Sequence, residues 1–342
     1  MDRPYILHFF AFQKADTLSI KTAVSSRQLT EDPKDLLSTP IEEYQLLKKN
    51  KFTLLLNFQF SDGRIESRTF ETDSFGQLSL KLPINSVSSL RIFEVSWKSG
   101  VDLFLGEYTP IGVKEKFDIV ISDFDKTLVE TKYHSPKELY ESLTSSVDDF
   151  PDLLHGINFL QSKIEKGAVP FILSSSPHFY ESTIKHWAKN HHIEDISIIL
   201  KDYRHFFSLL PGDLFPKDIK SHYAHKLNQL INILLLIGVP DELTLIGDNS
   251  ESDPLIYTIF FYLIGENSDP DILWRNILKL PTVKLQKFQQ VRLLNRIYSL
   301  KNLLVEKKPK VSIHIRNVKE KKFEVSEILQ PYFNQINFYE EK

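Results

Sequence analysis

Cysteine is absent from all 342 residues. Disulfides, thiolate nucleophiles and zinc–thiolate sites are therefore excluded, and any chemistry must come from carboxylates, histidines, hydroxyls and amines. A dominant charge is also missing: 42 basic against 45 acidic residues leave a formal net charge of −3, which gives no support to nucleic-acid binding. Long apolar runs are lacking. The stretches "INILLLIGV" and "PLIYTIFFYLIG" fall short of the roughly 20 residues that cross a bilayer. The opening run "MDRPYILHFFAFQKADTL" has Asp2 where a secretory signal carries positive charge. These features read as a cytoplasmic protein, with a placement peripheral to a membrane as the alternative. No internal repeat or low-complexity segment is evident, and 42% hydrophobic with 25% charged residues is the composition of a globular chain.

What is present divides into two rhythms. Residues 1–116 alternate short β-branched and aromatic stretches with turn signals. In "KFTLLLNFQFSDGRIESRTFETDSFGQLSLKLP", Asp62-Gly63 and Phe75-Gly76 punctuate strands as hairpins would. The expectation is a β-sandwich, interrupted by a loop and short helix around Pro33 and Pro40. From residue 117 onward apolar strands alternate with amphipathic helices. The strands are expected at Phe117–Ser122, Val169–Leu173, Ile196–Leu200, Leu243–Ile246 and Val311–Ile315, the helices at Leu153–Lys166, Phe179–Lys189 and Ile219–Leu235. That alternation builds an α/β domain, 117–342, with a parallel sheet and helices on both faces. A helical insertion is expected at about 258–310, with Leu285, Phe288, Val291, Leu294 and Ile297 as its core stripe. Lys284, Lys287, Arg292, Arg296 and Lys301 read as its solvated face, with an anionic-membrane contact as the sharper alternative.

In such a sheet ligands gather at the carboxyl ends of the strands. The first strand ends in Asp123-Phe124-Asp125-Lys126-Thr127, the second in Ser174-Ser175-Ser176-Pro177, and a later one in Gly247-Asp248, with Asp253 five residues on. Lys226 lies in the helix before that later strand, and Lys220 is its rival for the same role. These four groups in this order resemble the haloacid dehalogenase superfamily of phosphohydrolases, which implies a Rossmann-like parallel sheet. More closely, "VISDFDKTLVET", "FILSSSPHFY", "HKLNQLINIL", "LIGDNSESDPLIYTI" and the late "VSIHIRNV" resemble the catalytic domain of the actin-patch-associated, lipin-like phosphatidate phosphatase family. The closing strand ends in Ile315-Arg316 as in that family, and Thr72-Asp73-Ser74-Phe75-Gly76 matches a pattern in its N-terminal β-rich region. This chain departs from the family at Lys126, where a third acid is usual, at His178, where an aromatic is common, and in the helical stretch before "VSIHIR".

The chemistry implied is phosphoryl transfer to a carboxylate. Asp123 is expected to attack phosphorus, and Asp125 to protonate the leaving oxygen and then deprotonate water. Asp123, Asp125 through its carbonyl, Asp248 and Asp253 are the expected surroundings of Mg2+. Lys226 and Ser174 would counter charge on the phosphoryl oxygens. Ser175, Ser176 and Thr127 complete the substrate-binding set, Thr127 chiefly by holding its loop. The histidines at 178, 186, 191 and 192 have no zinc-site spacing and read as surface or packing residues. The expected substrate is a phosphate monoester, with a lipid phosphate favoured by the resemblance. A soluble sugar, nucleotide or polynucleotide phosphate is the first alternative, and a non-catalytic membrane or protein-binding adaptor the second.

Overall fold

The computed structural model describes residues 2–28, 51–98, 100–131, 150–177, 180–193, 195–201, 222–250, 252–280, 283, 285, 287–318, 323 and 325–340. The segment around Pro33 and Pro40, Lys220, His178 and Lys284 therefore lie outside the described residues.

The first eight strands are β1 (Asp2–Lys14), β2 (Thr17–Gln28), β3 (Thr53–Phe60), β4 (Ile65–Glu71), β5 (Gln77–Leu82), β6 (Val87–Lys98), β7 (Val101–Tyr108) and β8 (Ile111–Val113). They form two four-stranded sheets, ordered β5-β2-β1-β8 and β4-β3-β6-β7. One buried cluster is shared between the two sheets: Phe9, Leu18 and Ile20 come from the first, and Leu54, Leu56, Phe58, Leu90 and Ile92 from the second. This is the face-to-face arrangement of a sandwich. The turn at Asp62-Gly63 does close a hairpin, since β3 and β4 pair antiparallel. The turn at Phe75-Gly76 does not: β4 and β5 belong to different sheets, and this turn carries the chain from one to the other. Gly76 has φ +71°, and a Cβ there would lie 2.0 Å from the carbonyl oxygen of Val24, so only glycine lets the crossing chain press against β2.

Six further strands form a wholly parallel sheet: β9 (Ile119–Ser122), β10 (Val169–Pro177), β11 (Ser197–Lys201), β12 (Glu242–Asp248), β13 (Lys310–Arg316) and β14 (Ile336–Tyr339). Their order, β11-β10-β9-β12-β13-β14, is that of a doubly wound sheet, with its switch point between β9 and β12. The helices among the described residues are α1 (Leu154–Glu165), α2 (Glu181–Asn190), α3 (His222–Ile237), α4 (Asp253–Gly265), α5 (Pro270–Leu278), α6 (Lys287–Leu303) and the short α7 (Gln330–Phe333). Strand periodicity sorts them. Val120, Ile172, Ile198 and Ile246 point to one face and pack with Ile157, Leu160, Ile184 and Trp187 of α1 and α2. Their neighbours Ile121, Phe171, Ile199 and Leu245 point to the other face, against α3, α4, α5 and α6.

That second core does not stop at residue 116. Alternate residues of β1 serve two cores: Phe9 and Ala11 face into the sandwich, while Phe10 and Phe12 join the core beneath α3. Phe12 stacks on Phe171 at 5.6 Å between ring centroids. Lys14 donates to the carbonyl of Ile237 (3.3 Å) and Ser19 to that of Leu236 (3.2 Å), which fastens the end of α3 to the first sheet.

The insertion is helical, and of the expected stripe Ile297 is buried and Leu285 and Leu294 pack against the core. Leu293, Ile297, Leu300 and Leu304 are buried, whereas Val291 is 62% exposed. A stripe at spacings of three drifts around a 3.6-residue helix, which carries Val291 to the exposed side while Ile297 stays on the buried one. Lys301 also departs from the solvated-face reading. It donates to the carbonyls of Leu263 and Glu266 at the end of α4, where cations complement unpaired carbonyls. Among the described residues no helix is long and apolar enough to cross a membrane.

Candidate active site

The site lies at the carboxyl edge of β9, β10, β12 and β13. Asp123 extends β9 by one step, because its N–H donates to the carbonyl of Ile246 (2.9 Å), and this sets it beside Gly247-Asp248 on β12. Its Oδ1 accepts from the N–H of Phe124 at 2.8 Å, and its Oδ2 accepts from the ammonium of Lys226 at 2.7 Å. Lys226, in the first turns of α3, donates also to Asp253 Oδ1 at 2.6 Å. Asp253 begins α4, and a Cβ on Gly247 would sit 2.5 Å from its Oδ2, so the glycine makes room for the carboxylate. Tyr257, one helical turn on, donates its hydroxyl to the carbonyl of Ile246 (3.1 Å) and holds α4 against β12.

Carboxylate oxygens of Asp123, Asp248 and Asp253 lie within 4.8 Å of one another, all on buried residues. Three buried acids against one buried ammonium leave an excess of negative charge. Burial pushes the Asp123 carboxyl well above the ordinary range; Lys226 opposes this, and Asp253, Asp248 and Asp125 add to it. Burial raises Asp253 as well, again against the pull of Lys226 and with the push of Asp248. Asp253 Oδ2 is buried and has no hydrogen-bond partner among the described residues. An all-oxygen donor set with excess negative charge and an orphaned carboxylate oxygen fits a hard divalent cation such as Mg2+.

Asp125 stands on the other side of the turn. Its Oδ2 accepts from Ser174 Oγ at 3.1 Å and from Ser176 Oγ at 2.7 Å, and Ser174 Oγ in turn accepts from the N–H of Ser176 at 3.0 Å. The two serines thus fix the rotation of this carboxyl. In this structure both hydroxyls are turned to the second aspartate. Ser175 is half-buried between them, and Thr127 is fully buried within the turn. The carbonyl of Thr127 lies 2.3 Å from where a Cβ on Gly156 would be, so α1 closes on the turn through a glycine.

Sequence reasoning assigned no role to three contributors. Tyr180, beside α2, is held above its ordinary range by burial and then by the charge of Asp125. Asn249 is buried and ties two loops together, since its N–H donates to the carbonyl of Arg316 (3.0 Å) and its Oδ1 accepts from the N–H of Val318 (2.7 Å). Arg316 donates to the carbonyl of Lys126 at 2.9 Å. Its position at a strand's carboxyl end was the available signal. Of the histidines, His186 and His192 are exposed, and His191 packs on Trp187 with ring centroids 4.6 Å apart.

A further acid lies where the two halves meet. Glu181, at the start of α2, is buried and pairs with Lys185 at 2.5 Å. Burial, opposed by Lys185, raises it to about 7. Tyr108 of β7 is pushed up to about 12 by burial and by this carboxylate. The folded protein holds the Glu181 proton to near pH 7, whereas the unfolded chain releases it near 4.5. Between those values the unfolded state binds fewer protons, so this group's contribution to stability is full below pH 4.5 and is lost as pH rises to 7. The change is on the order of 3 kcal/mol. Denaturant unfolding at pH 5 and pH 8 is expected to show a smaller loss on alkalinisation for Glu181→Gln than for the unaltered chain. Superimposable pH dependences would contradict this.

The second half of the chain is thus an α/β unit with a buried carboxylate and lysine site at its switch point. Residues 119–267 match the family model described as phosphatidate phosphatase APP1, catalytic domain. Over that segment the chain is similar to the catalytic domain of this phosphatase family. No curated protein matches the chain. Among solved structures, a calcium-binding mutant of Bacteroides uniformis β-glucuronidase 2 is similar at TM-score 0.30 and 12% identity, covering 91% of this chain and 36% of that one. Parabacteroides merdae β-glucuronidase is similar at 0.28 and 10%, covering 91% and 33%. The chain therefore spans about a third of those proteins, and likeness at that level bears on neither fold nor activity.

Proposed function

We propose that this protein is a phosphomonoester hydrolase of the haloacid dehalogenase type that works through an aspartyl-phosphate on Asp123, with phosphatidate as substrate and diacylglycerol and phosphate as products. The observation that carries the reading is the division of the two aspartates. Asp123 is buried against Lys226, and Asp125, two residues later, is held by two serines.

The reaction follows from that division. An oxygen of Asp123 forms a bond to phosphorus as the bond to the leaving oxygen breaks, and Asp125 gives its proton to that oxygen. Water then attacks the phosphorus of the aspartyl-phosphate, its proton passes to Asp125, and the Asp123 carboxylate is released with inorganic phosphate. Lys226 keeps Asp123 oriented through both steps and offsets charge on the phosphoryl oxygens. Asp123, Asp248 and the carbonyl of Asp125 would hold Mg2+, with Asp253 as the neighbouring acid. When bound, the cation supplies the positive charge that lets an anionic carboxylate approach a phosphate dianion.

The lipid assignment follows the family of the matched segment, whose members are named for phosphatidate; the protein would meet that substrate from the membrane surface. Phosphate release in the presence of Mg2+ decides it, with phosphatidate in mixed micelles measured beside sugar phosphates and nucleotides. Preference for phosphatidate is expected. Rapid turnover of the soluble esters with none of phosphatidate would overturn the lipid assignment and leave the phosphatase reading standing.

A further inference from the structure

We infer that Arg316 is a positioning residue for Asp125, acting as a clamp on the turn that follows the two aspartates. Only its kinetic consequence rests on the phosphatase reading above; the clamp itself is a matter of geometry.

The turn is tight. The carbonyl of Phe124 accepts from the N–H groups of Thr127 (3.3 Å), Leu128 (2.9 Å) and Val129 (3.3 Å), and the N–H of Lys126 donates to the carbonyl of Val129 at 2.7 Å. Lys126 has φ +56°, a left-handed conformation that is unfavourable for a non-glycine residue. Such a residue persists where its surroundings over-determine it. Its carbonyl needs a donor, and Arg316 Nη1 supplies one at 2.9 Å. The other arm of the guanidinium, Nη2, pairs with Glu130 Oε2 at 2.6 Å. One planar group therefore spans the turn from residue 126 to residue 130.

Arg316 is well anchored for this task. It ends β13, is paired in register with Asp248, and its own carbonyl accepts from the N–H of Asn249. The clamp thus couples the turn carrying Asp125 to the strand end carrying Asp248. A rigid fork with two donors in one plane is what the two acceptors require; a lysine offers a single point charge and can satisfy one of them at a time. Asp125 precedes Lys126 directly, so rotation of that peptide would move the carboxyl away from Ser174 and Ser176.

The test compares Arg316→Ala, Arg316→Lys and Glu130→Ala with the unaltered protein in two measurements. The first is hydrogen exchange of the peptide covering residues 124–131. The second is steady-state phosphate release on whichever ester of the substrate panel the unaltered protein turns over best. Exchange in that peptide is expected to quicken roughly tenfold in Arg316→Ala. The kcat should fall about a hundredfold, the scale of a 1 Å misplacement, while KM stays within about threefold. Arg316→Lys should fall between Arg316→Ala and the unaltered protein, and Glu130→Ala, which loses only the outer arm, should be milder still. If Arg316→Ala does not fold, the other two variants carry the comparison. Unchanged exchange in the turn would overturn the inference, and so would faster exchange with kcat unaltered. If the unaltered protein releases phosphate from no ester, the functional reading falls, and exchange alone then decides whether the clamp exists.

Discussion

Asp123→Asn is expected to remove turnover while leaving the fold in place. The amide can still accept from the N–H of Phe124, as Oδ1 does at 2.8 Å, and Lys226 retains its bond to Asp253 Oδ1. What disappears is the nucleophile, since a carboxamide oxygen does not form a hydrolysable acyl phosphate. Loss of a residue that forms the covalent intermediate should lower kcat by roughly four orders of magnitude or more. Stability should move in the opposite direction. Asp123 is a buried acid crowded by Asp253 and Asp248, so a neutral isostere relieves repulsion that Lys226 only partly offsets. A melting temperature equal to or above that of the unaltered protein, with turnover lost, is the expected pair of results. An Asn variant that keeps full activity would mean that the nucleophile lies elsewhere.

Lys226→Met should damage both activity and stability. Lys226 is 1% exposed, and its two carboxylate partners are equally enclosed. Removing the ammonium leaves Asp123 and Asp253 facing each other without a counter-charge, a change that typically costs about 3–5 kcal/mol when one member of a buried pair is deleted. Part of that loss returns if one carboxylate takes up a proton. A divalent cation drawn to the same oxygens should therefore raise the melting temperature of the methionine variant more than that of the unaltered protein. Activity should fall by about a hundredfold or more, because charge on the phosphoryl oxygens and on Asp123 is no longer offset. Lys220→Met serves as the comparison, and near-normal turnover is expected from it. If the two variants behaved in reverse, the lysine role would pass to residue 220.

Much of this site could be read from the chain because it depends on strand ends, and strand ends carry local signals. Apolar runs closing in Asp123, Ser174 and Asp248 mark where the sheet stops and chemistry begins, and the structure sets these residues along one edge with Lys226 and Asp253. Partners that depend on rotation about side-chain bonds were not legible: nothing in "FILSSSP" says that Ser174 and Ser176 both turn toward Asp125. The clamp by Arg316 was hidden for a different reason. It joins residues 126, 130 and 316, and no periodicity links positions so far apart.

In the N-terminal half the alternation of Thr53–Phe60 with Ile65–Glu71 was plain. The change of sheet at Gly76 was not, because a glycine turn looks alike in sequence whether it closes a hairpin or crosses a sandwich. β14 went unread, its four residues too short to show a period. The six-stranded parallel sheet begins at Ile119, after the last strand of the two N-terminal sheets. Packing runs across that point, since Phe10 and Phe12 from the first strand join the core beneath α3.

The covalent step can be captured directly. Quenching the enzyme during turnover and reducing with borohydride converts an aspartyl-phosphate to homoserine, and peptide mass spectrometry locates the altered residue. The account predicts homoserine at position 123, dependent on substrate and absent from Asp123→Asn. Steady phosphate release with reduction at another residue, or at none, would contradict it.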